Sequence, residues 1–119
     1  MDKFDLQERL INFSVEVINL TDKLPDIFAC NHLGRQLIRS GTSTALNYGE
    51  SQAAESRADF IHKLKIVLKE LRESYVCLQI LNKRAYLPQQ DLQSLLSECN
   101  ELISIFVSSL KTAQQNNKK

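Results

Sequence analysis

Leu6, Leu10, Phe13, Val17, Leu20 and Leu24 recur at alternating steps of four and three, with polar or charged residues filling most positions between them. That spacing lines one face of an α-helix. Pro25 ends it, because its ring restricts Leu24 and it lacks an N–H, so the pattern predicts a first helix over about 4–24. The same rhythm runs through Phe60, Leu64, Val67, Leu71, Ser74, Leu78 and Leu81. Ser56 followed by Asp59 resembles a capping box that starts this helix. A span of about 57–84 makes a rod of roughly 40 Å at 1.5 Å per residue. Leu92, Leu95, Cys99, Leu102, Phe106 and Leu110 form a further seam, over about 88–113. Pro88 suits its first position, where a missing N–H costs nothing. The polar tail Gln114 to Lys119 is expected to fray.

The second segment is less regular. A loop from Pro25 to Asn31 is expected to lead into a helix over about 32–54, marked by Leu33, Leu37, Ala45 and Tyr48. Gly34, Gly41, Ala45 and Gly49 line one side of it. Each glycine costs about 1 kcal/mol in a helix interior, so the stripe predicts close approach of a neighbouring helix. Four amphipathic helices with short connections predict an all-α, up-down-up-down four-helix bundle, with 1–119 as a single domain.

Composition adds exclusions. At 43% hydrophobic and 24% charged residues, the chain lies within the range of folded soluble proteins. Its uncharged stretches, Leu102 to Leu110 and Ser40 to Gly49 among them, fall far short of the roughly 20 residues a membrane span needs. Acids sit where a secretory leader carries basic residues. A cytoplasmic protein is expected. Cys30, Cys77 and Cys99 are odd in number and widely spaced, which suits reduced thiols, with Cys77 and Cys99 in the core.

The net charge of +1 conceals a gradient: residues 1–30 carry −3, residues 31–84 carry +4, and the rest are neutral overall. At 100° per residue, Lys65, Lys69 and Arg72 fall about 120° to 180° from Phe60, forming a basic ridge on the outer face of the third helix. With Arg35, Arg39 and Arg57 they are candidate contacts for nucleic-acid phosphate, though no base-reading motif accompanies them. Ile66, Val76 and Ile80 also lie more than about 100° from the core stripe. Their predicted exposure makes them a candidate subunit contact.

No P-loop, GxGxxG, HExxH or CxxC occurs, which removes the strongest short catalytic and metal signatures. Glu55, Asp59 and His62 share a helix face, but a di-iron bundle needs Glu-x-x-His on two helices. Cys30-x-His32 has no second cluster to complete a zinc site or a nucleophile pair. No cofactor, metal or enzymatic activity is expected.

The block from Ser40 to Phe60, with Asn47-Tyr48-Gly49-Glu50 followed by Ala54-Glu55-Ser56 and Asp59-Phe60, resembles the four-helix-bundle proteins encoded in intervening sequences of bacterial 23S ribosomal RNA genes. The similarity continues through Lys63-Leu64-Lys65 and Lys69-Glu70-Leu71-Arg72-Glu73. The resemblance implies a cytoplasmic bacterial protein assembling as a ring-like homopentamer, without an established biochemical activity. Similar bundles include accessory proteins of diversity-generating retroelements, associated with RNA and a reverse transcriptase. The function expected is thus a non-enzymatic homo-oligomer whose basic surface engages RNA or a nucleoprotein. The alternative is a structural or protein-interaction module that binds no nucleic acid.

Overall fold

The computed structural model describes residues 3–117. Four helices, α1 (Lys3–Asp22), α2 (Phe28–Ser51), α3 (Arg57–Lys83) and α4 (Gln89–Asn117), run up and down in a bundle of 50 × 21 × 20 Å. Each packs on its neighbours in chain order, and the α1–α4 seam closes the bundle most loosely. The seams read from the sequence are the buried ones. Leu10, Phe13, Val17, Leu37, Leu64, Leu71, Leu78, Leu102 and Phe106 are all fully or almost fully buried. Across the bundle diagonal, Tyr48 and Phe106 meet edge to face at 5.6 Å, the arrangement that aromatic quadrupoles prefer.

Helix ends follow local chemistry. Ser56 caps α3 by accepting the Asp59 N–H at 3.1 Å, which satisfies one of the donors a helix start leaves open. At the other end of α3, Ala85 takes the left-handed conformation (φ 54°). The Ala85 N–H then reaches the Asn82 carbonyl and the Tyr86 N–H the Leu81 carbonyl, a Schellman closure built without its usual glycine. The second helix begins at Phe28, four residues ahead of the predicted start. Ile27 is the extended residue before it, and the Asn31 side chain donates to Asp26 at 2.9 Å, so Asn31 braces the first turn from inside the helix. Gln114 to Asn117 continue α4, while Lys118 and Lys119 lie outside the described residues.

The small-residue stripe of α2 faces α1, but its members are not equivalent. A Cβ at Gly41 would stand 3.0 and 3.1 Å from the two methyls of buried Val17. At Gly34 the nearest atom would be 3.5 Å away, an ordinary contact. The Ser14 hydroxyl also reaches the Gly41 carbonyl at 3.2 Å, so backbone and side chains interlock there. Between α2 and α3 the corresponding link is polar: the buried hydroxyls of Ser40 and Ser74 are hydrogen-bonded at 2.8 Å.

The three cysteines are free and buried. Burial pushes all three thiols above their ordinary 9.0, and Cys99, whose Sγ donates to the Leu71 carbonyl at 3.3 Å, is pushed up to about 12 with a smaller contribution from Glu98.

Two predictions follow from this packing. Gly34→Ala raises the melting temperature, gaining about 0.4–1 kcal/mol through the unfolded chain. Gly41→Ala lowers it, because overpacking against Val17 costs typically 1–3 kcal/mol and outweighs the helix-propensity gain of about 1 kcal/mol. Thermal denaturation of the two variants, read by circular dichroism, gives opposite signs. The cysteines set an alkaline limit. An unfolded thiol ionises near 9.0 while folded Cys99 keeps its proton to about 12, so the unfolded chain binds fewer protons in that window and stability falls as pH rises through it. The slope due to Cys99 is about 1.4 kcal/mol per pH unit. Urea titrations at pH 7.5 and pH 10 show a smaller alkaline loss in Cys99→Ala than in the parent chain.

Candidate nucleic-acid interface

Charge on the bundle surface is sorted by helix flank. The helices α3 and α4 carry six acidic residues, Asp59, Glu70, Glu73, Asp91, Glu98 and Glu101. Four of them face a cation on α1 or α2, and a fifth faces Lys23, just beyond the end of α1. Arg39 of α2 pairs with Glu70 at 3.3 Å and with Glu73. Arg9 of α1 grips Glu98 through two nitrogens, at 2.8 and 2.7 Å, and reaches Glu101 at 2.9 Å. These contacts hold the guanidinium proton well above its ordinary range, the hydrogen bond to Glu98 contributing most. Lys23 stands 4.0 Å from Asp91. The sixth, Asp59, sits in the first turn of α3, where a carboxylate is favourable at the positive end of the helix dipole.

The outer α3–α4 face is left without acids. Lys65, Lys69 and Arg72 are exposed on it. They surround a shallow hollow of about 290 Å³ floored by Leu68 and Leu110. Among the described residues none of the three cations has an ionic partner. Farther along the same face a second hollow, of about 310 Å³, is lined by Lys83, Gln79, Gln93, Asn100 and the half-buried Tyr75. The opposite character is found between α1 and α4. There a cleft of about 510 Å³ is lined by Glu16, Asp91, Glu98 and Glu101, with Lys23 the basic residue on its wall. Of the two, the first carries unpaired positive charge and the second carries acids, three of them in ion pairs.

Comparison with known proteins fixes the lineage. The family model for the 23S rRNA-intervening sequence protein matches residues 2–108. The chain belongs to that family. A solved relative, a protein of unknown function from the S23 ribosomal protein family of Bacteroides thetaiotaomicron VPI-5482, is 32% identical. The match covers 89% of this chain and 98% of that one, with a TM-score of 0.82. None of the curated proteins matches the chain.

In this member of the 23S rRNA-intervening sequence protein family, the six basic candidates do not form one site. Lys65, Lys69 and Arg72 stand together. Arg39 lies on the other flank of α3, held by Glu70 and Glu73. Arg35 is one turn earlier on α2, exposed beside Ile38 and Gly34. Arg57 is at the start of α3, with its guanidinium 5.7 Å from the centre of the Phe60 ring. The apolar candidates also separate. Val76 and Ile80 are exposed, at 53% and 42%, whereas Ile66 is half-buried. It lies on the α2 flank, about 15 Å along the axis from Val76 at 1.5 Å per residue.

The larger apolar surface is elsewhere. Ile11, Val15 and Ile18 stand exposed at helical spacing along the back of α1, and Ile38 is exposed on α2. Taking the angles of α1 as well as those of α3 would have found the first three. Phe28 is 89% exposed at the α1–α2 turn, a residue the predicted loop hid. Glu55 and His62 are exposed, and among the described residues no group of three or more His, Cys, Asp or Glu is placed to hold a metal ion. No helix among them is long and apolar enough to cross a membrane.

Proposed function

We propose that this protein binds RNA without catalysis, through the sugar-phosphate backbone, and that the binding surface is the outer α3–α4 face. One observation carries the reading: Lys65, Lys69 and Arg72 are left unpaired on a face from which every ion-paired acid of α3 and α4 is turned away. Free cations pay no internal ion pair to meet a phosphate, and each contact releases condensed counterions. The family is named for intervening sequences of 23S rRNA, and RNA is the nucleic acid to test first. The face carries no base-reading element, so the binding is set by backbone and shape.

Fluorescence anisotropy against a generic structured RNA tests this. With three phosphate contacts, affinity falls roughly 40-fold between 50 and 200 mM salt, and each of Lys65→Ala, Lys69→Ala and Arg72→Ala reduces the log–log salt slope by about 0.9. Arg39→Ala lowers stability rather than the slope, because it strands the buried Glu70. An affinity that ignores all three ridge substitutions refutes the proposal.

We further propose that the protein self-associates through the apolar back of α1 and α2, with Ile11, Val15, Ile18 and Ile38 in the contact, in a closed ring such as the homopentamer that the resemblance implies. Exposed aliphatics in a row favour a protein contact over solvent. Size exclusion with light scattering at micromolar concentration yields an oligomer. Ile11→Ser with Ile18→Ser shifts it toward monomer, while Val76→Ser with Ile80→Ser leaves it assembled. The reverse pattern assigns the contact to α3.

A further inference from the structure

Resting on the RNA reading above, we infer that the α3–α4 face takes double-stranded RNA across its shallow groove, in preference to an unpaired strand. The two hollows on this face differ in chemistry. One end presents Lys65, Lys69 and Arg72 around an aliphatic floor. The other presents Lys83 with the amides of Gln79, Gln93 and Asn100. From Lys65 to Lys83 the face is one uninterrupted helix, a straight edge of about 27 Å at 1.5 Å per residue. Such an edge cannot wrap a flexible strand, but it lies along a rigid duplex, where phosphates are dense and their positions fixed.

The amides supply what a purely basic rod lacks. Gln79, Gln93 and Asn100 are exposed, and among the described residues their side chains have no hydrogen-bond partner. An amide offers both donors and an acceptor, which suits a 2′-hydroxyl that is itself donor and acceptor. The wide, shallow minor groove of an A-form duplex displays those hydroxyls. The cations and amides therefore divide the work, Lys65, Lys69, Arg72 and Lys83 meeting phosphates on either side while the amides read the sugar.

Single-strand binding needs a different surface. Unpaired bases are held by stacking on exposed aromatic rings, and this face offers none. Tyr75 lines the second hollow, but its ring is packed against the core. Phe28, the strongly exposed aromatic, is at the α1–α2 turn, and Tyr86 lies under the Arg84 guanidinium at 5.1 Å.

The test uses the full chain in anisotropy titrations at 50 mM salt against three probes. They are a mixed-sequence RNA duplex of about 16 base pairs, a DNA duplex of the same sequence, and an oligouridine of the same length. The RNA duplex is expected to bind at least about tenfold more tightly than the oligouridine and more tightly than the DNA duplex. The triple variant Gln79→Ala, Gln93→Ala, Asn100→Ala is expected to lose the RNA-over-DNA preference while keeping its helical circular dichroism. Oligouridine binding as tightly as duplex RNA overturns this inference and leaves the RNA reading standing. Equal affinity for the two duplexes, or a triple variant that keeps the preference, also overturns it. Failure of all three probes to bind overturns the RNA reading as well.

Discussion

Glu70 is buried on the α2 flank of α3, where a charged carboxylate is costly unless a cation or hydrogen-bond donors meet it. Arg39 meets it, and the same guanidinium takes Glu73 one turn on. This requirement fixes more than one ion pair. It sets the register of α2 on α3, which the Ser40–Ser74 hydrogen bond one step deeper repeats in neutral form. Glu70 and Glu73 both lie on the α2 flank, and the lysines and Arg72 on the other flank have no ionic partner among the described residues. The candidate interface is in this sense a by-product of how α2 and α3 are held together.

The α1–α4 seam works the same way with weaker packing. Apolar contact there is the thinnest in the bundle, and Arg9 spans it with a forked grip on Glu98 and a further contact to Glu101. Charge-assisted, two-pronged bonds of this kind are among the stronger polar contacts available to a protein. The grip retains both glutamates on the α1 side of α4, leaving an acidic cleft on one flank of α4 and amides on the other. Two arginines, one on each helix of the α1–α2 hairpin, thus take up four of the six acids of α3 and α4, on flanks away from the basic face.

How much of this was legible in the sequence depends on the physical range of each feature. The seam of α3 was readable because its four–three spacing runs unbroken from Leu64 to Leu81, and the Ser56 cap because capping is local. The start of α2 lies inside the predicted loop Pro25 to Asn31, because no cap or proline marks it and the Asn31 side chain bonds back to Asp26 from within the helix. Ile66 was placed among the exposed residues by angle alone, but the α2 flank partly covers it. The basic ridge was read as three residues plus three scattered arginines. Arg39 could not be told from Lys69, since a helical angle gives a side chain's direction and not the partner waiting there. The amide-lined hollow needs two helices in register, and nothing in either helix by itself announces it.

The two unpartnered faces lie on opposite sides of the bundle, and that placement bears on strength. Three or four phosphate contacts make a weak, salt-sensitive site when a single protomer acts alone. Self-association through the α1–α2 side leaves every α3–α4 face free. Linked copies then bind a long polyanion with an effective concentration that raises avidity by orders of magnitude without any new contact. In the proposed function the apolar back and the basic front are therefore complementary. On the function proposed above, the front supplies contacts individually too few to hold RNA, and the back would supply the repetition that makes them sufficient.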